Sequence, residues 1–211
     1  MKSTGLFFFQ FFLVVHVFSQ DTLILKSTEL SSVKSLEDSL NSVNKGFQFF
    51  DPYKDEDFED VYDKWPNVTT KPLIYKRTND SFFPPLHVWY FYDKDSTVKW
   101  IYYHWGFGNT DVEASESEIK KQILRFIEYK EKYFLEKAKL VIALGNPREN
   151  DLIIDTPDYY QIKSVWNQID KRIVINMVFA KKPMEIDDPV LNKKIILPIS
   201  KVEIKILLKE L

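Results

Sequence analysis

The chain contains no cysteine. That excludes disulfide bonds, a thiolate nucleophile, cysteine-ligated zinc and the anchored cysteine of a bacterial lipoprotein. Glycine is scarce, with five in 211 residues, which leaves little material for a phosphate-cradling loop. The sequence has no Gly-x-Ser-x-Gly, no His-Glu-x-x-His and no Gly-rich phosphate motif. It therefore lacks the signatures of a nucleophile elbow, a zincin helix and a P-loop. Neither sign of charge dominates: 29 Lys and Arg stand against 31 Asp and Glu, for a net charge of −2. Nothing long-range draws such a chain to nucleic acid. Beyond residue 19 no stretch is apolar enough to span a bilayer, which takes roughly 20 apolar residues.

The first nineteen residues have the pattern of a secretory signal peptide. Lys2 gives a positive start, Leu6 to Val17 form a short apolar run, and Val17-Phe18-Ser19 ends in a small residue. Such a segment is cleaved on export. Gln10 and His16 interrupt the run, so a membrane anchor is the weaker reading. The expectation is a secreted or periplasmic protein, with residues 20–211 as a single exported domain and no stable membrane anchor after cleavage.

An exported domain without disulfides must rely on its core. Aromatic residues make up 16% of the chain, and each large side chain fully buried contributes roughly 1.5–3 kcal/mol. Aromatic packing can therefore take the place of covalent staples.

Val33, Leu36, Leu40 and Val43 recur at helical spacing and predict a helix over Glu29–Lys45, stopped by Gly46. Residues 47–86 open with Phe47, Phe49 and Phe50 and then run acidic from Asp51 to Asp63. That run lacks the alternating pattern of a calcium loop and reads as a solvated loop. Leu73–Arg77 suggests a short strand. His87–Tyr92 and Thr97–Trp105 form the clearest hairpin, turning at Asp93-Lys94-Asp95-Ser96. Closing this turn pairs Trp89 with Trp100 and Tyr92 with Thr97. One face then carries His87, Trp89, Phe91, Val98, Trp100, Tyr102 and His104, and the other ends in Trp105. Both faces are rich in large apolar groups, as expected of a doubly covered ribbon.

Ser115 and Glu118 form a capping box before a second helix. Its apolar stripe is Ile119, Ile123, Phe126, Ile127, Tyr133, Phe134 and Ala138, and it stops at Leu144-Gly145-Asn146-Pro147. Lys130, Glu131, Glu136 and Lys137 then fall on a solvated face. Tyr160–Trp166 and Arg172–Ala180 predict a second hairpin, with Trp166 opposite Ile175 if the turn is Asp170-Lys171. Lys201–Lys209 alternates at strand period, with charged positions that suit a sheet edge. A terminal helix capped by Ser200 is the rival, and β-branching favours the strand. The expected fold is α+β: an antiparallel sheet of two hairpins and a C-terminal strand, packed against two amphipathic helices. Two helix-plus-hairpin units hint at an internal duplication, though their residues do not align.

His87 and His104 are the only histidines after the leader, placed diagonally on one hairpin face. A metal site there lacks a third ligand, so no metal or other cofactor is expected. Trp89, Trp100, Tyr102 and Trp105, with His87 and His104, are the candidate ligand-binding residues, because aromatic faces with polar handles suit peptide or sugar. Filling the core is the competing role for these rings. Asn67-Val68-Thr69 and Asn79-Asp80-Ser81 match glycosylation acceptors, relevant only to a eukaryotic secretory route. These features lead to an exported, non-enzymatic binding domain that meets a protein, peptide or glycan through an aromatic sheet surface. A hydrolase with scattered carboxylates and a structural envelope component are the alternatives.

Overall fold

The computed structural model describes residues 28–50, 57, 67–78, 82–106, 117, 121, 124–182, 184–188, 193–197 and 200–209. The leader, the Ser115–Glu118 capping box, most of the acidic run and the Asn79 triplet lie outside these residues. No helix among them is long and apolar enough to cross a membrane.

The order of elements is β1 (Thr28–Glu29), α1 (Leu30–Ser39), β2 (Val43–Phe47), β3 (Leu73–Arg77), β4 (Leu86–Tyr92), β5 (Thr97–Gly106), α2 (Phe126–Leu144), β6 (Glu149–Asp155), β7 (Tyr159–Asn167), β8 (Lys171–Ala180), β9 (Met184–Asp188), β10 (Lys193–Leu197) and β11 (Lys201–Leu208). Nine strands form one sheet in the order β2-β3-β4-β5-β11-β8-β7-β6, with β1 also paired to β5, while β9 and β10 make a separate two-stranded ribbon. Every strand pairing among the described residues is antiparallel. The fold is α+β, and both expected hairpins are present.

Three of the expected elements need correction. First, α1 ends at Ser39 rather than continuing to Lys45. Asn41 adopts a positive φ of 53°, a conformation asparagine tolerates, and Val43 and Gly46 then enter an edge strand. Second, α2 turns a different face to the sheet. Tyr129, Lys132, Tyr133, Glu136 and Leu140 are buried, whereas Ile127 is 69% exposed and Phe134 41%. Tyr133, Lys132 and Glu136 on this face have polar partners. Tyr133 Oη bonds Asp151 Oδ1 and Ser164 Oγ, both at 2.9 Å, and Lys132 Nζ reaches Glu136 at 3.0 Å. Third, β11 is not an edge. It lies between β5 and β8 at the centre of the sheet.

Both hairpins pair two residues out of the expected register. Trp89 faces Tyr102, and His87 faces His104 directly; Trp166 faces Ile173. A two-residue slip leaves each side chain on its own face, because the strand period is two. Val98 is the exception. An irregularity between Phe91 and Tyr92 skips Lys99, so Val98 joins the helix-side core.

The sheet is covered on both faces. Its helix side packs Tyr103, Trp105, Ile173, Ile175, Met177, Val202, Ile204 and Ile206 against Val33 of α1 and Tyr129, Tyr133 and Leu140 of α2. Its second face carries a smaller cluster: Ile74, Trp89, Phe91, Trp100, Tyr102, Val165, Val174 and Leu207, packed by Val68 and Phe50.

Candidate functional site

The second face is built from rows of residues that strand register sets side by side. One row reads His87, His104, Glu203, Asn176, Lys163 across β4, β5, β11, β8 and β7. The next reads Trp89, Tyr102, Lys205, Val174, Val165. The third continues with Phe91, Trp100 and Leu207. Aromatic rings therefore fill one corner and polar groups the neighbouring corner, and Tyr102 belongs to both.

In the aromatic corner Phe91 stacks on Trp100 with centroids 4.1 Å apart, and Trp100 lies parallel to Tyr102 at 6.4 Å. Phe50 closes over them, at 5.4 Å from Trp89, 5.6 Å from Phe91, 5.8 Å from Trp100 and 6.4 Å from Tyr102. Edge and tilted contacts of this kind match the quadrupoles of the rings. Trp89 is 5% exposed, and its Nε1 is a buried donor that meets no acceptor among the described residues.

The polar corner is organised by Glu203. Tyr102 Oη donates to Glu203 Oε2 at 2.5 Å, Asn176 Nδ2 donates to Oε1 at 3.0 Å, and Gln161 Nε2 donates to Asn176 Oδ1 at 3.0 Å. Lys201 Nζ is 2.7 Å from Oε2, and Lys205 Nζ is 3.6 Å from Oε1. Lys205 also pairs with Asp57 at 2.7 Å, and Lys163 meets Asp57 at 3.3 Å. Burial alone raises a carboxyl pKa. Here the Lys201 and Lys205 ammonium groups and the Tyr102 hydroxyl more than offset it, and Glu203 is held well below the usual carboxylate range.

His104 receives a definite tautomer from this network. The Tyr102 hydroxyl has one hydrogen, and it is given to Glu203. The 3.0 Å contact between Tyr102 Oη and His104 Nδ1 must then have the ring as donor. Nδ1 carries the proton, and Nε2 is left as an acceptor. That atom is buried and meets no donor among the described residues. Burial, and next Lys201, push His104 down to about 3, so the ring is neutral at ordinary pH. Its lean toward the end of β5 requires Gly106, where a Cβ would stand 2.7 Å from Nε2 and 2.8 Å from Lys201 Cβ.

Five of the six residues singled out from sequence share this face: His87, Trp89, Trp100, Tyr102 and His104. Trp105 does not. It lies on the helix side, where Lys132 Nζ sits 4.4 Å over its ring. All six are buried, between 0 and 7% exposed. The rings form a covered bed and not an open platform. Sequence reasoning missed Glu203, Lys201, Lys205 and Asn176, because β11 read as an edge whose charges would face water. It also passed over Phe50 and Asp57, although the aromatic start of the acidic run was a visible signal. Among the described residues no group of three or more His, Asp or Glu side chains is arranged to hold a metal ion.

Comparison of the chain with protein-family models, with curated proteins and with solved structures gives no match.

Proposed function

We propose that the chain is an exported, non-enzymatic binding domain that receives its ligand on the second face of the sheet. The observation that carries this reading is a pair of buried polar atoms on that face that meet no partner among the described residues: the Trp89 Nε1 donor and the His104 Nε2 acceptor. A buried polar group without a partner costs on the order of 1–3 kcal/mol. A ligand that offers an acceptor to one and a donor to the other recovers that cost. The titration of the site agrees with binding. Glu203 stays ionised and His104 stays neutral around pH 7, so both hold fixed roles and neither cycles a proton there. Export is supported by the leader, residues 1–19. The partner class is a peptide, protein or glycan met in the envelope or outside the cell.

The test is a titration of residues 20–211 with peptides and glycans, followed by tryptophan fluorescence. Saturable binding is expected. Trp89→Phe, which keeps a ring but removes the N–H, is expected to weaken it while circular dichroism and thermal midpoint stay near wild type. No saturable binding by any class, or binding indifferent to both Trp89→Phe and Lys205→Gln, overturns the proposal.

A further inference from the structure

We infer that Phe50 and Asp57 occupy the second face as an internal ligand, and that the ligand class of this face is a peptide segment carrying an aromatic and an acidic side chain. The inference rests on the reading of that face as a binding surface and names what it takes.

The two residues fill the two corners separately. Phe50 places its ring against all four rings of the bed. Asp57 places its carboxylate between Lys163 and Lys205. Lys205 Nζ is 5.8 Å from the centroid of the Tyr102 ring, so the cationic corner begins where the aromatic one ends. A ring and a carboxylate at these positions are within reach of roughly four or five extended residues, at about 3.3 Å each.

The chemistry of the face calls for such an occupant. Asp57 meets Lys163 and Lys205, and Lys205 and Lys201 both meet Glu203, which is the one other acid of this network among the described residues. Without Asp57 the described residues of this corner hold three cations against one anion, which favours an incoming carboxylate. Beneath Phe50 lies a bed of four aromatic rings, and apolar surface of that kind is where partners dock. The way Phe50 is held fits an occupant more than a core residue. It is only half-buried, Phe47 and Phe49 beside it are 62% and 70% exposed, and its backbone enters through a bond to Thr70 O at 2.8 Å. It belongs to no strand or helix.

The test compares wild type with Phe50→Ala/Asp57→Asn, both as residues 20–211. The probe is a fluorescein-labelled synthetic peptide with the sequence of residues 47–63, read by fluorescence polarisation. The double variant is expected to bind the peptide at least tenfold more tightly than wild type. The same peptide carrying Phe50→Ala and Asp57→Asn should lose that gain, and added salt should weaken binding. A folded double variant that binds no better than wild type overturns the inference. If the double variant does not fold, Asp57→Asn alone decides: raised affinity supports the inference, and unchanged affinity overturns it. Tighter binding of neutral glycans than of the peptide also overturns it, while leaving a binding function for the face in place. Binding of neither peptide nor any other class by wild type and variant removes both readings.

Discussion

His104 is neutral in the folded chain because burial and Lys201 push it down to about 3, while a free imidazole titrates near 6.5. As pH falls below about 6.5 the unfolded chain takes up a proton that the folded ring refuses until near 3. In that window the unfolded state binds more protons, so stability drops on acidification. Between pH 7 and pH 5 this ring accounts for a loss of about 2 kcal/mol, at about 1.4 kcal/mol per pKa unit. Glu203 is shifted the other way, below its ordinary value of 4.5. Its contribution is present above about 4.5 and fades only below it, outside the interval from pH 7 to pH 5. His104→Asn keeps a donor for Tyr102 Oη but has no proton to gain. Urea unfolding at pH 7 and pH 5 should show a loss smaller by about 2 kcal/mol in the variant than in wild type. Equal losses in the two proteins would show that His104 titrates normally in the fold.

At the scale of elements, a buried ion pair ties α1 to the sheet beside the packing of Val33. Arg77 of β3 reaches Glu37 of α1 with Nη2 at 2.6 Å from Oε1, and with Nε at 3.2 and 3.1 Å from the two oxygens. Tyr90 Oη also donates to Glu37 Oε1, and Ser42 Oγ donates to Oε2 at 2.5 Å. Burial by itself raises the Glu37 carboxyl, and the Arg77 pairing more than offsets it, so the group is held low. Arg77→Met strands an ionised carboxylate inside and is expected to cost about 3–5 kcal/mol. Glu37→Met combined with Arg77→Met removes both charges and should recover most of that loss. A double-mutant cycle from chemical unfolding checks it; additive single effects would mean that the pair does not hold the helix. The same elements show what the sequence carries. The hairpins were legible, since their aromatic and β-branched runs and their turn residues all agree. The extent of α1 was not, because Leu40 and Val43 continue a helical spacing that Asn41 breaks in three dimensions. The buried face of α2 was misplaced because apolarity was counted by residue type. Tyr133, Lys132 and Glu136 enter the interior with their polar ends satisfied by tertiary partners or by each other, and spacing alone does not reveal a partner.

At the scale of the whole molecule, the described elements of the large sheet fall into two sets of a helix and four strands: α1 with β2–β5, then α2 with β6, β7, β8 and β11, the β9–β10 ribbon being inserted before β11. Each set of four is laid down in order, and the two sets meet at the pairing of β5 with β11. The last strand of the chain is thus the seam of the sheet. Sequence alone did not place it there, because Glu203 and Lys205 read as edge charges, and only the register that brings Tyr102 and Asn176 to them, with Asp57 reaching Lys205 from outside the sheet, makes their burial tolerable. A sharp dependence on the C-terminus follows. Ending the chain at Ser200 removes Val202, Ile204, Ile206 and Leu208 from the main core. At roughly 1.5–3 kcal/mol for each buried side chain, the loss equals or exceeds much of the 5–15 kcal/mol that typically holds a domain together. It also leaves β5 and β8, both rich in apolar residues, as facing open edges prone to pair with other chains. Residues 20–200 should therefore show no near-ultraviolet aromatic dichroism and should aggregate. A monomer with the aromatic dichroism of the full chain would mean that β11 adds to a sheet already closed without it. The same placement bears on rate. The pairing that joins the halves is non-local and completes only when the C-terminal strand is available, so refolding of the full chain should fall in the millisecond-to-second range of β-rich domains, and stabilising the β4–β5 hairpin alone should not bring it into the microsecond range.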